Sequence, residues 1–372
     1  MRVAINARRL EGQRLGVGRY IEYLVGHWAE QTTNGDSLCV YLRRPLPPSE
    51  RALPASVDTR VLAPAIKPVL WDNFVLSPRA RADVLFCPSY TVPLTYRGPS
   101  VVAIHSTNEV APGAHNRGYG VTYGAHYRLS ARAATRVIVP SMTTKRDIIE
   151  HYGIEPEVVA VVPQAADAAF HPGHGDDSLS RVRERYFGAD RPYVLFVGKL
   201  SQRRNIPLLL RAFAEARRRA DLPHGLLLFG PNLLGLPLRE LAEELGISES
   251  VVQTDGRVAD HSELADIYRA AAAYVNPSMY EGFSMTFVEA LACGVPCLVA
   301  RRGALEEIAG DAALLVDDLS PEAFAAELVR LLGDDELRGE LRRRGPRRAA
   351  DFDWADAARQ TWRVLAEASV CT

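Results

Sequence analysis

Residues Asn276–Pro296 read NPSMYEGFSMTFVEALACGVP. The apolar run that ends at Asn276 predicts a buried strand, Gly282 indicates a loop, and the residues after it predict a helix that begins near Ser284. A strand, a short loop and a helix form the repeating unit of a doubly wound α/β domain. The first main-chain N–H groups of such a helix are unpaired and its dipole is positive there, so this loop suits a phosphate or another anion.

Two acidic residues flank the predicted anion site. Glu281 precedes the helix, and Glu289 lies eight residues later, about two turns along it. Carboxylates accept hydrogen bonds from sugar hydroxyls, so the pair suits a hydroxyl-rich ligand beside the anion. The alternative is that Glu281 is an ordinary helix N-terminal charge and Glu289 a solvated surface residue. The apolar neighbours Phe287, Val288 and Leu291 argue against solvation of that helix face.

Strand and helix patterns alternate along most of the chain. Continuous apolar runs between helices are typical of parallel strands buried on both faces. The predicted strands form two series, at 3–6, 38–42, 84–87, 101–105, 137–140 and 158–162, then at 194–197, 226–229, 251–254, 273–276 and 297–300. The Pro- and Gly-rich stretch 163–192 separates the two series.

The pattern therefore predicts two Rossmann-like, doubly wound α/β domains. We place them at residues 1–172 and 173–353, followed by a helix over 354–372 that packs back on the first domain. Ligand loops of such domains lie beyond the carboxyl ends of the strands, so we expect the function in a central cleft that both domains face.

Composition excludes several classes of protein. The chain has 372 residues, 47% hydrophobic and 24% charged, which are ordinary globular proportions. Its net charge of -1 argues against a dedicated nucleic-acid binder. No stretch approaches 18 apolar residues, so we expect no membrane span. The five cysteines are scattered without zinc-ligand spacing, and the N-terminus reads as a first strand rather than a signal peptide, as expected of a cytoplasmic protein.

The opening segment resembles the EGFG…E…A-C-G-x-P signature of the retaining, nucleotide-sugar-dependent glycosyltransferases of the GT-B fold, glycosyltransferase family 4. Further pieces of the family pattern follow the same order along nearly the whole chain. They are GVGRY at 16–20, VVAIH at 101–105, FVGKLSQRRN at 196–205, LFGP at 228–231 and GRV at 256–258. The block 281–296 is the most specific of them.

The resemblance implies that cations hold the diphosphate of a sugar donor. Lys199 and Arg204 lie on a loop that begins at Gly198, where they would neutralise the diphosphate as it leaves. Arg203 stands beside Arg204, and the sequence leaves open which of the two reaches the phosphate.

The other donor contacts implied by the resemblance also lie in the second domain. Glu289 would bind the nucleotide ribose, and Glu281 would hold hydroxyls of the transferred sugar. The remaining contacts, largely from the main chain, would come from Gly282, Phe283, Ser284 and Met285 for the sugar and distal phosphate, and from Gly230, Pro231, Arg257 and Val258 for the base and ribose. Main-chain contacts carry little information about the base.

The first domain contributes a histidine and two glycines. The resemblance implies that His105, at the end of a predicted strand, hydrogen-bonds the donor sugar or polarises it during catalysis; a structural histidine is the alternative. Gly16 and Gly18 would let the main chain approach the sugar or phosphate closely. Ile21 stands where a GxGxxG motif needs its third glycine, so the element does not support a nicotinamide cofactor.

The function predicted from this resemblance is retaining transfer of a hexose-type sugar from a UDP- or GDP-sugar to a hydroxyl of a glycan, lipid-linked or natural-product acceptor. We expect no cofactor and no metal, because Lys and Arg neutralise the diphosphate in enzymes of this kind. The alternatives are a non-catalytic nucleotide-sugar-binding protein and another GT-B enzyme, such as a sugar-nucleotide epimerase. Peripheral contact with the inner membrane face and the oligomeric state stay open.

Overall fold

The computed structural model describes residues 1–11, 16–31, 35–46, 52–110, 124–173 and 178–371. These residues form two compact units. The first contains Met1–Val110, residues 124–164 and residues 353–371, and the second contains Ala165–Phe352. The units divide after Gln164, earlier than the predicted 172/173 boundary, because the Phe170 side chain is part of the second unit's core.

The first unit is built on a seven-stranded parallel sheet of order β3-β2-β1-β4-β5-β6-β7. Its strands are β1 (Arg2–Asn6), β2 (Ser37–Leu42), β3 (Asp58–Val61), β4 (Val84–Cys87), β5 (Ser100–Ala103), β6 (Arg136–Val139) and β7 (Val159–Val161). Val3 lies opposite Leu38 on one side and Val84 on the other. The sequence pattern missed β3, because all four residues of this edge strand are exposed and leave no apolar run.

The second unit has a six-stranded parallel sheet of order β10-β9-β8-β11-β12-β13. Its strands are β8 (Tyr193–Val197), β9 (Gly225–Phe229), β10 (Val251–Thr254), β11 (Ala273–Asn276), β12 (Cys297–Ala300) and β13 (Leu314–Val316). Every residue of β8, β9, β11 and β12 is buried, as expected for strands covered by helices on both faces. The prediction of two doubly wound α/β domains is confirmed.

Helices connect the strands. They are α1 (Gly16–Gln31), α2 (Pro68–Trp71), α3 (Ala125–Ala133), α4 (Met142–Asp147), α5 (Ser178–Phe187), α6 (Ile206–Ala220), α7 (Leu238–Glu244), α8 (His261–Arg269), α9 (Met285–Ala292), α10 (Leu305–Ala309), α11 (Pro321–Gly333), α12 (Asp335–Ala349) and α13 (Trp354–Ser369). Within the described ranges, none is both long and apolar enough to cross a bilayer.

The C-terminal helix α13 belongs to the first unit. The Trp28 indole of α1 donates a hydrogen bond to the Ala358 carbonyl at 2.9 Å. Tyr23 stacks on Trp354 with 4.6 Å between ring centroids. These contacts fasten the end of the chain to α1.

Candidate active site

Three glycine turns meet at the carboxyl edge of the second sheet. Gly198, Gly230 and Gly256 follow β8, β9 and β10. A Cβ atom on Gly230 would lie 2.0 Å from the Gly198 carbonyl oxygen, and one on Gly256 would lie 2.8 Å from the Gly230 Cα. The Gly198 N–H donates to the Phe229 carbonyl at 2.9 Å. Only glycine permits this packing of main chain against main chain, which leaves peptide groups rather than side chains at the edge.

The loop after β11 is held in a strained conformation. Ser284 has a φ of 96°, which is unusual for a residue with a side chain, and it supplies no side-chain cap to α9. The first N–H groups of α9 therefore face outward without a capping side chain. The side chains of Phe283 and Met285 pack in the core, so these two predicted donor residues offer a ligand their main chain.

The loop that follows β12 contacts the main chain of Glu281. The Ala304 N–H donates to the Glu281 carbonyl at 2.8 Å. A Cβ atom on Gly303, whose φ is 57°, would lie 2.3 Å from that same carbonyl oxygen. A glycine at position 303 therefore lets two loops of the second unit touch and fixes where the Glu281 side chain starts.

The Glu281 carboxylate meets both neighbouring arginines. Its Oε2 lies 3.1 Å from Arg203 Nη1, its Oε1 ion-pairs with Arg204 Nη1, and the Ser278 hydroxyl donates to Oε1 at 2.8 Å. All three charged side chains are at most 18% exposed. Burial raises the pKa of Glu281, but the charges of Arg203 and Arg204 outweigh it and bring the pKa below its ordinary value.

Sequence reasoning separated these groups, placing the arginines on the diphosphate and Glu281 on the sugar. The structure brings them together in one cluster. Arg204 Nη1 is buried, and its contact with Glu281 lacks hydrogen-bond geometry. An incoming anion would therefore compete with Glu281 for this guanidinium.

Lys199 differs from the two arginines. It is exposed, and no acidic group of the described residues pairs with its ammonium. A Cβ atom on Gly198 would lie 3.9 Å from Arg204 Cζ, so the Arg204 guanidinium reaches back to the start of the Lys199 loop. Two cations from one strand-to-helix loop thus lie at the same sheet edge.

Glu289 is fully buried in α9, with 0% exposure. Its Oε2 accepts a hydrogen bond from the Tyr268 hydroxyl at 2.9 Å. The alternative of a solvated surface residue is therefore wrong. Contact of the Glu289 carboxylate with a ribose stays a prediction.

Tyr268 and Tyr274 offer a matched test of this arrangement. Both are fully buried, and both hydroxyls lie 3.1 Å from Thr286; the Tyr268 hydroxyl also donates to Glu289 at 2.9 Å. We expect Tyr268→Phe to lower the free energy of unfolding by about 1–3 kcal/mol, because a buried carboxylate loses a donor. The same variant should bind nucleoside diphosphate about tenfold more weakly. Tyr274→Phe should leave that affinity unchanged. Urea unfolding and calorimetric titration measure both; equal affinities in the two variants would contradict a role for Tyr268 in orienting Glu289.

The predicted base contacts lie at the ends of β9 and β10. Pro231 follows Gly230, and Val258 is half-buried against the core. The Arg257 side chain is exposed and paired with Asp255 at 2.9 Å. Their contact with a base stays a prediction.

In the first unit, His105 lies two residues beyond β5 with both ring nitrogens engaged. Nε2 donates to the Pro88 carbonyl at 2.8 Å, and Nδ1 accepts from the Gln164 amide at the same distance. Burial lowers the pKa of His105 to about 4, so the imidazole is neutral at pH 7. Its role toward the donor sugar stays a prediction, and that role would require one of these two bonds to open.

This low pKa predicts a loss of stability in acid. In the unfolded chain a histidine takes up its proton near pH 6.5, whereas folded His105 does so near pH 4. Since the unfolded state binds the proton first, stability falls as the pH drops through this window, by about 2 kcal/mol between pH 7.5 and 5. Urea unfolding should show a smaller loss for His105→Gln than for the wild type. The pKa of His224 is also lowered, so His224 contributes an acid-induced loss of stability to the variant and the wild type alike. Identical losses of stability in the two proteins would contradict a low pKa for His105.

Gly16 and Gly18 lie in the first turn of α1. The resemblance placed a glycine loop and a helix start at residues 16–20, and in the structure both glycines are helical, Gly16 exposed and Gly18 buried. The residues just before them, 12–15, fall outside the described part of the chain. Close approach of a ligand at this helix start stays a prediction.

Sequence reasoning missed a buried polar network under the carboxyl edge of the first sheet. Asp72 ion-pairs with Arg8 and accepts from Asn6 Nδ2 at 2.9 Å, and Arg8 also donates to Thr91 at 3.0 Å. These residues come from three separate chain segments, so no local spacing signals their meeting. The network fixes the loops that follow β1 and β4.

Two family models match the chain. The model described as Glycosyltransferase Family 4 covers residues 15–170, and the model described as Glycosyl transferases group 1 covers residues 191–334. Residues 171–190, within the stretch that links β7 to β8, lie between the two matches.

Similar proteins include D-inositol 3-phosphate glycosyltransferases. The one from Acidothermus cellulolyticus is 28% identical over 95% of this chain and 86% of its own length. The one from Nocardiopsis dassonvillei is 33% identical over 60% of this chain and 54% of its own length. This chain thus spans about half the length of the Nocardiopsis relative.

Solved structures share the fold. Sucrose-phosphate synthase from Thermosynechococcus elongatus superposes with a TM-score of 0.78 at 20% identity, covering both chains completely. Anabaena HepE in complex with UDP-glucose gives a TM-score of 0.77 at 17% identity, covering 99% of this chain and all of the other.

Proposed function

This chain belongs to the GT-B glycosyltransferases, and we propose that it moves a hexose-type sugar from a nucleoside-diphosphate donor to a hydroxyl acceptor with retention of the anomeric configuration. The observation that carries the proposal is the cluster of Glu281 with Arg203 and Arg204 beside the uncapped start of α9. It combines an anion site with a carboxylate suited to sugar hydroxyls, in one loop system of the second unit.

We propose that the diphosphate lies at the first turn of α9, within reach of Lys199 and Arg204. The glycosidic bond to the diphosphate breaks while the acceptor oxygen bonds to the same carbon from the leaving-group face. The acceptor proton passes to the departing phosphate oxygen, so atoms and charge balance without a protein nucleophile. The cations stabilise the charge that develops on the leaving group.

Glu281 has two successive partners in this proposal. Without a ligand it neutralises the two arginines, which are at most 18% exposed. When a diphosphate supplies that negative charge, the carboxylate is released to accept hydrogen bonds from the transferred sugar. A single carboxylate thus keeps the cations paired before binding and orients the sugar afterwards.

The donor is proposed to be a UDP- or GDP-hexose. Anabaena HepE, which shares the fold, is described in complex with UDP-glucose. The peptide-lined edge formed by the three glycine turns suits a base held through main-chain groups. No cofactor or metal takes part in the proposed reaction, since Lys199 and the arginines supply the positive charge.

The acceptor is proposed to be a hydroxyl of a glycan, lipid-linked or natural-product molecule, and the protein is proposed to act in the cytoplasm. Relatives include D-inositol 3-phosphate glycosyltransferases and an O-antigen chain mannosyltransferase of Escherichia coli. Both names describe transfer to hydroxyl-rich molecules.

A thermal-shift screen of UDP- and GDP-sugars tests the donor without an acceptor, because a ligand that binds the native state raises the melting temperature. The donor found is then supplied with hydroxyl acceptors, and NMR reads the anomeric configuration of the product. We expect turnover to survive excess EDTA. An inverted product, or activity that returns only with Mg²⁺ or Mn²⁺, would contradict the mechanism. Donor binding with neither hydrolysis nor transfer would indicate a binding protein.

A further inference from the structure

The segment Pro68–Leu76 of the first unit has seven apolar residues beside Asp72 and Asn73. It consists of α2 and a π-helical turn over Asp72–Leu76. One side packs in the core through Trp71, Val75 and Leu76, which are at most 5% exposed. A helical segment with apolar side chains on two sides is normally covered on both, so its second side calls for a partner.

That second side is open. Val69, Leu70 and Phe74 are 48%, 46% and 65% exposed. Thr95 donates to the Asn73 side chain and carbonyl at 3.2 and 2.7 Å, which brings the neighbouring loop alongside and adds Leu94, 42% exposed. Val69, Leu70, Phe74 and Leu94 together are the apolar face. Large side chains exposed together on one surface mark an interaction site.

The charged residues in the sequence around the apolar face are mostly basic. Between residues 58 and 108 the sequence has three acidic residues, Asp58, Asp72 and Asp83. Asp72 is buried against Arg8, and Asp83 is bridged by Arg2 at 3.0 Å. Arg60 pairs with Asp58 at 2.7 Å, and the same stretch has four further basic residues, all of them exposed: Lys67, Arg79, Arg81 and Arg97. Lys67, directly before α2, is exposed.

We propose that the apolar face docks the first unit on an anionic lipid bilayer. Phe74 and the leucines would enter the boundary between headgroups and acyl chains, while Lys67 and the surrounding arginines meet anionic headgroups. A second copy of this chain fits less well, because a two-fold contact would bring these cations against their own equivalents. The inference does not rest on glycosyl transfer and can fail while that function holds.

Flotation with lipid vesicles tests the proposal. We expect the full chain to float with vesicles of phosphatidylcholine mixed with phosphatidylglycerol, to remain behind with phosphatidylcholine alone, and to bind less at high salt. The double variant Leu70→Ser, Phe74→Ser should lose about tenfold or more in vesicle affinity. Leu233→Ser, Leu234→Ser, which removes two similarly exposed leucines from the second unit, should bind like the wild type.

Lys67→Gln, at an exposed position, provides a second test if the double variant folds poorly. We expect this variant to bind more weakly than the wild type to the vesicles that contain phosphatidylglycerol. Binding to neither kind of vesicle, equal binding to both, or an equal loss in the Leu233, Leu234 control would each overturn the proposal. Sedimentation that shows a dimer dissociated by Leu70→Ser, Phe74→Ser would overturn it too, and would place a second copy on the apolar face.

Discussion

Arg204→Ala and Lys199→Ala should each lower kcat/KM for the sugar donor by about 10²–10³-fold, the usual cost of removing one group that stabilises developing negative charge. Arg204 is the less exposed of the two cations paired with Glu281, and Lys199 is an exposed ammonium on the same loop. Steady-state kinetics with the donor found by thermal shift measure the loss, and circular dichroism checks that each variant is folded.

Arg211→Ala is the matched control for these two variants. Arg211 lies on α6, two turns or less from the same loop, but its side chain is exposed and its guanidinium donates to the Pro207 carbonyl of the same helix at 3.4 Å. It should leave kcat/KM unchanged. Wild-type turnover in both Arg204→Ala and Lys199→Ala would contradict the proposal that the diphosphate binds at this loop.

Glu281→Gln should produce the largest change in stability. It keeps the shape of the side chain but leaves Arg203 and Arg204 buried without their counter-charge, and breaking a buried ion pair in this way costs about 3–5 kcal/mol. Nucleoside diphosphate should bind at least as tightly as to the wild type and restore much of the lost stability, because it supplies the missing anion. Sugar transfer should nevertheless fall at least about tenfold, since the hydroxyls lose a charged acceptor.

Glu215→Gln separates this effect from ordinary charge removal. Glu215 also pairs with two arginines, Arg218 and Arg219, but at the surface of α6, where solvent screens the interaction. It should change neither the unfolding midpoint nor the nucleotide affinity. If Glu281→Gln lost nucleoside-diphosphate affinity while Glu215→Gln did not, the exchange of Glu281 between arginines and sugar would have to be abandoned.

The fold could be predicted from the sequence because a strand that is buried on both faces consists of a continuous run of apolar residues. All four residues of β11 and β12 are apolar or enclosed, and the runs that encode them are continuous. The exposed edge strand β3 leaves no such trace and was missed. The block around Glu281 and Glu289 was recognisable because strand, glycine loop and helix follow one another within one short segment.

What the sequence determined by itself was therefore the two α/β domains, the loops that end their strands and the charged residues on those loops. Only the tertiary structure decided that Glu281 binds Arg203 and Arg204, that Glu289 turns inward to Tyr268, and that Gln164 closes the second nitrogen of His105. Each of these partners lies tens of residues away along the chain. The periodicity of a sequence indicates which side of a helix or strand a residue occupies. The partner of a buried charge depends instead on how separate loops pack together. A buried charge or polar group needs a partner, and it pairs with the group that this packing brings within reach.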